Sequence, residues 1–285
     1  MKKLLFQLDT DPIPSVFDTV VAYDGGADHV TPYGGLTPEN VGALVDGAIF
    51  TRSPKEKRYT ALFIGGSDMT SGQALLAAVQ AKFFAKFRVS VMLDSNGANT
   101  TAAAAVATLA RAGSLAGKRA VVLAGTGPVG QRAAVMLSRE GAYVTLTARK
   151  QERAEAACRS IKERFGLEVT PLPASTNDAR GAALRGAQIV FAAGAGGVQL
   201  LEARHWQNNP SIEQMVDGNA TPPLGVEGID MMDKGAEKSG KLVFGAIGFG
   251  ALKLQLHRAC IARLFESPDQ VLDAEEILAL AKAMG

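Results

Sequence analysis

The chain has 285 residues, 30 Lys plus Arg against 28 Asp plus Glu, and 47% hydrophobic residues. That length allows one large domain or two medium ones, and it buries enough apolar surface to need no disulfide or metal staple. The balanced charge and apolar content exclude a disordered chain, and the lack of a basic stripe excludes a nucleic-acid partner. The 31 glycines and 6% aromatic content suit an α/β protein with tight turns. Cys158 and Cys260 stand far apart with no metal-ligand spacing, so neither zinc nor a disulfide framework is expected, which fits a reducing cytosol. The apolar run in MKKLLFQLDTD is too short for a signal peptide, and no run of about 18 apolar residues occurs. A soluble, cytoplasmic protein with no membrane partner is expected.

Strand and helix alternate along the chain. Residues 2–9 read as a strand ending in Asp9. Apolar residues at 16, 17, 20 and 21 give residues 15–23 a helical stripe, stopped by Gly25-Gly26. Residues 29–33 read as a short strand. Thr37-Pro38 predicts the opening of a helix running to about Ala48. RSPKEKR (52–58) reads as a solvated loop. A strand over 60–64, a helix over 71–84 and a strand over 88–93 follow. The segment 94–101 (DSNGANTT) is rich in turn formers and leads into an Ala-rich helix. KRAVVLA (118–124) is a near-continuous apolar run, as a parallel strand covered on both faces requires. The pattern then predicts helix 128–140, strand 143–148, helix 151–165, strand 168–172, helix 178–186 and strand 188–193. Strands 212–216 and 242–246, a helix over about 250–266 and a last helix over 273–284 complete it. This alternation means βα units and mostly parallel sheets. With GSLAG (113–117) as linker, residues 1–113 form an α/β domain and 114–267 a Rossmann-type nucleotide-binding domain. The last helix, within 268–285, is expected to fold back on the first domain.

Gly125-Thr126-Gly127-Pro128-Val129-Gly130 follows a buried strand and opens a helix, the setting in which GxGxxG marks a dinucleotide site. Gly125 makes the tight turn, Gly127 lets backbone approach a pyrophosphate, and Gly130 lets helix and strand pack closely. The helix N-terminus offers unpaired N–H groups and partial positive charge. NAD sites place an acid at the end of the second strand, whereas this chain has Arg149-Lys150 there. A guanidinium suits a 2′-phosphate, which favours NADP over NAD; the alternative is a solvated basic pair. Ala193-Gly194 ends a later strand at the same sheet edge and is expected to pass beneath the cofactor; the alternative is a simple flexible turn.

Ligands of open α/β sheets bind outside the carboxyl ends of the strands. Asp9, Asp11 and Asp18 surround the first such end, Gly65 to Asp68 the third, and Asp94, Asn96, Asn99, Thr100 and Thr101 the fourth. Capping accounts for one or two of these, and the rest point to a ligand. Gly245, Gly248 and Gly250 precede the predicted helix from about 250, placing Lys253 in its first turn, where a cation opposes the helix dipole. By spacing alone, Lys253 is a surface or an active-site lysine, and His257 reads as a capped surface histidine. His29 and His205 show no metal spacing, and neither GxSxG nor a Ser-His-Asp pattern occurs.

Long segments resemble the NADP-dependent methylenetetrahydromethanopterin/methylenetetrahydrofolate dehydrogenases of methylotrophic bacteria. They are LLFQLDTDPIPSVFDTVVAYDGGADHVTPYGG (4–35), LTPENVGALVDGAIFTR (36–52), MLDSNGANTTAAA (92–104), VVLAGTGPVG (121–130), DGNATPPLGVEGID (217–230) and FGAIGFGALKLQLHRACIARLFES (244–267). The ARK at 148–150 resembles the NADP-dependent branch; a sister branch accepts NAD as well. The resemblance implies hydride transfer from the methylene bridge of a reduced pterin to NADP, with pterin and cofactor meeting in a cleft between the domains. It implies a role for Lys253 in orienting the pterin or adjusting charge at the reacting carbon. It also implies a pterin pocket drawn from Phe17, Asp18 and the segment 94–101, and a homo-oligomer, trimeric or hexameric. Two alternatives stay open on the residues: another NADP-linked dehydrogenase resembling shikimate dehydrogenase, and a non-catalytic NADP(H)-binding regulator.

Overall fold

A computed structural model describes residues 1–284. The chain runs β1 (Leu4–Asp9), α1 (Val16–Asp24), β2 (His29–Tyr33), α2 (Gly42–Phe50), β3 (Thr60–Gly65), α3 (Met69–Ala81), β4 (Ser90–Leu93) and α4 (Ala98–Ala112). It continues through β5 (Arg119–Leu123), α5 (Pro128–Arg139), β6 (Tyr143–Ala148), α6 (Gln151–Phe165), β7 (Thr170–Pro173), α7 (Asn177–Ala183) and β8 (Ile189–Ala192). It closes with β9 (Gln214–Asp217), β10 (Lys234–Lys238), β11 (Lys241–Gly245), α8 (Ala246–Arg263), β12 (Val271–Leu272) and α9 (Ala274–Ala283). The chain divides into two compact units, residues 1–100 with 254–284 and residues 101–253, with borders inside α4 and α8.

The first unit holds a five-stranded sheet in the order β12-β4-β3-β1-β2. All its strand pairs are parallel. Every residue of β3 and β4 is buried, so these strands carry apolar side chains on both faces. Helix α1 starts where the Ser15 hydroxyl accepts the Asp18 amide at 3.2 Å. It ends at Gly25, where a Cβ would lie 2.6 Å from the Ile261 side chain. The helix predicted from Thr37 begins later, at Gly42. The Asn40 side chain takes the Thr37 amide at 2.8 Å, and this turn displaces the first helical turn. The loop 52–58 is less solvated than its charge implies: Lys57 is buried, donating to the Lys86 carbonyl at 3.0 Å with its Nζ 4.0 Å from the centre of the Phe87 ring. Its side chain snorkels along apolar surface to reach a carbonyl, and burial lowers its pKa.

The second unit holds a seven-stranded sheet in the order β10-β11-β9-β8-β5-β6-β7. Strand β10 pairs antiparallel with β11, and the remaining pairs are parallel. The β10–β11 hairpin turns through Ser239 and Gly240, both at positive φ (51° and 72°). Val121, Leu123, Val190, Met215 and Val243 form its core with the fully buried Trp206. Helix α8 starts earlier than the glycines suggest. The amides of Ile247 and Gly248 donate to the Met231 carbonyl at 2.8 and 3.0 Å, and a Cβ at Gly248 would lie 1.8 Å from the Asp233 carbonyl oxygen. The glycines therefore let the helix press on the 230–233 turn. With Ala246 as its first residue, Lys253 lies in the third turn and not the first, so its charge is not set against the N-terminal dipole as expected.

Among the described residues, no helix is long and apolar enough to cross a membrane, and no cluster of His, Cys, Asp or Glu could hold a metal ion.

Candidate active site

In the second unit, the carboxyl end of β5 leads through Gly125 and Gly127 into α5. The turn is tight because Gly130 sits on Gly125: a Cβ at Gly130 would lie 2.6 Å from the Gly125 Cα. A Cβ at Gly127 would meet nothing within 4 Å, so space lies open over this residue. Gly127 caps α5 with no side-chain hydrogen bond, and Pro128 occupies the first helical turn. The N-terminal amides of α5 thus lack a side-chain cap and suit an anion. Thr126 is held through its carbonyl, which accepts from Gln131 Nε2 at 2.8 Å, and Val129 is half-buried.

Strand β6 ends beside this turn. Thr147 is buried, and its hydroxyl accepts the Ala124 amide at 3.1 Å while its carbonyl accepts the Gly125 amide at 2.9 Å. Thr147 stands outside the residues expected from the glycine motif; its signal in the sequence is a hydroxyl in the last positions of a buried strand. Arg149 and Lys150 follow, both exposed, and Lys150 is the N-cap of α6 with no capping side chain. Two cations at a helix N-terminus oppose its dipole, a cost that an anionic group would relieve. Ala193 donates its amide to the Leu123 carbonyl at 3.0 Å, holding the end of β8 beside the end of β5. A Cβ at Gly194 would lie 2.8 Å from the Leu200 side chain, so this glycine is required by packing. The residues of this edge therefore fit a dinucleotide: open backbone at Gly127, uncapped amides, and a cationic pair at the end of the second strand.

At the end of β9 the buried Asp217 accepts from the Asn219 amide at 3.0 Å and the Val226 amide at 2.8 Å. Burial pushes its pKa up, and these amides act against that push. Its carboxylate holds the 218–226 loop in place.

In the first unit, the carboxyl ends of β1, β3 and β4 gather polar groups. Asp9 is fully buried, and its two oxygens accept the amides of Asp11 and Ser15 at 2.9 and 3.0 Å. Asp68 is the cap of α3, accepting the Ser71 amide at 2.6 Å, which lowers its pKa. Asp18 is half-buried, and its Oδ2 lies within 3.5 Å of the point a Gly65 Cβ would occupy, with Asp9 Oδ2 at 3.1 Å from the same point. Phe17 beside it is 48% exposed. An aromatic face and a carboxylate thus meet at one sheet edge.

The segment 94–101 divides by burial. Asp94 is fully buried and accepts from the Thr100 amide at 3.0 Å and the Thr100 hydroxyl at 2.6 Å. Asn99 donates to the Leu93 carbonyl at 2.6 Å and to Asp273 Oδ1 at 3.0 Å. These three residues bind the turn to the sheet and to the cap of α9. Asn96 is exposed at positive φ (57°), and its amide donates to the Gly66 carbonyl at 2.6 Å. Thr101 and Lys253 are half-buried and belong to the second unit. His257 is not the surface residue that its spacing implied: it is fully buried, stacked on Phe63 at 5.5 Å and 25°.

Residues 16–96 match the family described as methylene-tetrahydromethanopterin dehydrogenase, N-terminal. The chain is 59% identical over 285 residues, 99% of both chains, to a protein of Methylorubrum extorquens named "Bifunctional protein MdtA". It is 32% identical over 275 residues, 93% of this chain and 90% of the other, to the NAD(P)-dependent methylenetetrahydromethanopterin dehydrogenase of the same organism. Among solved structures it is similar to quinate dehydrogenase from Corynebacterium glutamicum in complex with NAD, with a TM-score of 0.56, 14% identity and 98% of each chain covered. At that identity the likeness is one of fold.

Proposed function

This chain belongs to the methylenetetrahydromethanopterin dehydrogenase family, and we propose that it oxidises the methylene group of methylenetetrahydromethanopterin, or of methylenetetrahydrofolate, with NADP. When bound, NADP would supply the hydride acceptor for the methylene carbon, giving the methenyl pterin and NADPH. The product cation is shared by the two nitrogens flanking that carbon, so the chain needs no strong general base. Its own contribution is positioning, electrostatics and exclusion of water.

The observation that carries this reading is the glycine turn before α5, open over Gly127 and followed by Arg149 at the end of the next strand. The turn of Gly125, Thr126, Gly127, Pro128, Val129 and Gly130 holds the pyrophosphate; its N–H groups come from residues other than Pro128, which has none, and Gly125, whose amide is given to the Thr147 carbonyl. Arg149 and Lys150 take the 2′-phosphate, and Ala193 and Gly194 lie beneath the dinucleotide. Phe17 offers a face to the flat pterin, and Asp18 pairs with its amino-pyrimidine edge or offsets the product cation. Asn96 and Thr101 line the pterin pocket, while Asp94, Asn99 and Thr100 fix the turn that carries them. Lys253 orients the pterin or adjusts charge at the reacting carbon. The pterin-side domain corresponds to the unit of residues 1–100 with 254–284 and the cofactor-side domain to residues 101–253, so the borders lie within α4 and α8 and not at 113 and 267. In the cell the protein is cytoplasmic, serves one-carbon metabolism in a methylotroph, and assembles as a trimer or hexamer. Support for assembly is the exposed aromatic group Phe50, Phe84 and Phe87, whose rings lie 5.0–6.2 Å apart.

The test mixes purified protein with NADP and either methylene pterin, and follows absorbance of NADPH and the methenyl product. Turnover with at least one carrier supports the reading, and turnover with neither refutes it.

A further inference from the structure

The proposed reaction gives no part to His257, a buried titratable side chain of the first unit. The His257 side chain is 0% exposed and touches three elements of that unit. It stacks on Phe63 of β3, with ring centres 5.5 Å apart and planes at 25°. It meets Phe17 of α1 at 6.3 Å and 44°. Its Nδ1 lies 3.9 Å from Oδ2 of Asp94, the carboxylate that follows β4 and binds Thr100.

An apolar side chain would fill this space at lower cost, because an imidazole loses hydration on burial. What the imidazole adds is a polar edge facing a buried carboxylate. At 3.9 Å the two are beyond direct hydrogen-bond distance, and with both side chains 0% exposed the charge or dipole that the ring edge turns to the carboxylate is weakly screened. One edge of the ring is thus drawn to Asp94 while its flank supports Phe17. Phe17 has the opposite situation: it is half exposed in the first turn of α1, beside Asp18. The Phe63 ring closes the group, with its Cε1 3.3 Å from the point a Gly65 Cβ would occupy, next to the Asp18 carboxylate.

We propose that His257 is a positioning residue for the pterin: anchored by Asp94 and Phe63, it sets the place and tilt of the Phe17 ring against which the pterin packs. This rests on the pterin reading above. His257 reaches the ligand only through Phe17, which separates it from a residue that merely supports the fold.

The experiment is a double-mutant cycle in the pterin assay. His257→Asn raises KM for methylenetetrahydromethanopterin by about three- to tenfold, the worth of one aromatic contact. kcat and the Kd for NADP stay within about twofold. In the Phe17→Ala background, where the supported ring is gone, His257→Asn changes KM by less than about twofold. An equal rise in KM in both backgrounds, or a parallel rise in the Kd for NADP, overturns the proposal. Should His257→Asn fail to fold, His257→Phe keeps a flat ring against Phe63, removes the attraction to Asp94, and carries the same two expectations. Wild-type protein is assayed alongside. Absence of wild-type turnover refutes the pterin reading and this inference together, whereas wild-type turnover with additive variants refutes this inference alone.

Discussion

The hydroxyl of Thr147 accepts the amide of Ala124 at 3.1 Å, so the end of β6 holds the turn that follows β5. Ala124 is at positive φ (52°), a conformation that a side chain rarely adopts, and the hydrogen bond helps fix it there. Thr147→Val keeps the shape and removes the acceptor. It should cost about 1–2 kcal/mol of stability, read by urea unfolding, because a partly buried N–H loses its partner. The Kd for NADP should rise with it, since the Gly125 turn is then less fixed.

Gly127 and Gly130 should respond differently to the same methyl group. At Gly130 a Cβ collides with Gly125 backbone at 2.6 Å, so Gly130→Ala should lower both the melting temperature and NADP binding. At Gly127 a Cβ meets nothing within 4 Å. Gly127→Ala should leave stability within about 0.5 kcal/mol. Its methyl group nevertheless occupies the space assigned to the pyrophosphate, so the Kd for NADP should rise by about tenfold or more. Calorimetry and fluorescence titration of both variants separate the two effects.

Arg149 is exposed, so its loss should scarcely touch the fold. Arg149→Ala should weaken NADP by about 10- to 100-fold, the range of a charge-assisted hydrogen bond to an ionised group, and should leave NAD binding nearly unchanged. Titration with the two dinucleotides in parallel reads the difference. An equal loss for both would remove Arg149 from the 2′-phosphate.

Both thiols are buried, and burial pushes the Cys158 pKa up to about 11 and that of Cys260 higher still, with the Asp94 charge adding to the second. For a thiol whose pKa is raised in the folded state, the stability it contributes is present below its unfolded pKa near 8.5. That contribution is lost as pH rises toward the folded value. Stability should therefore fall from about pH 8.5 upward, with a shallower fall in Cys158→Ala. At pH 7.5, alkylation of the native protein by iodoacetamide should be slow and should accelerate on unfolding.

The parts of the fold legible in sequence are those with an unbroken local pattern. Strand β6 and helix α6 fall where the apolar alternation and the helical stripe put them, at Tyr143–Ala148 and Gln151–Phe165. Strand β10 was not legible because KGAEK is a polar edge strand whose pairing with β11 contains a register shift. Strand β12 has two residues and exists only through its pairing with β4. The start of α8 was obscured because Gly245 and Gly248 serve packing on the 230–233 turn, a tertiary need that local propensity cannot display. Similarly, the place of the glycine turn before α5 and of Arg149 after β6 follows from order and spacing, whereas the buried contacts of Asp94 and His257 do not. One carboxylate is occupied by a residue six positions on, and the histidine is buried by strands about 160–190 residues away in sequence.

The most direct test of the central claim is the rate at which purified protein reduces NADP in the presence of methylenetetrahydromethanopterin or methylenetetrahydrofolate. The account predicts equimolar formation of NADPH and the methenyl pterin with at least one carrier, much faster with NADP than with NAD. No NADPH with either carrier, or NADPH without the methenyl product, would contradict it.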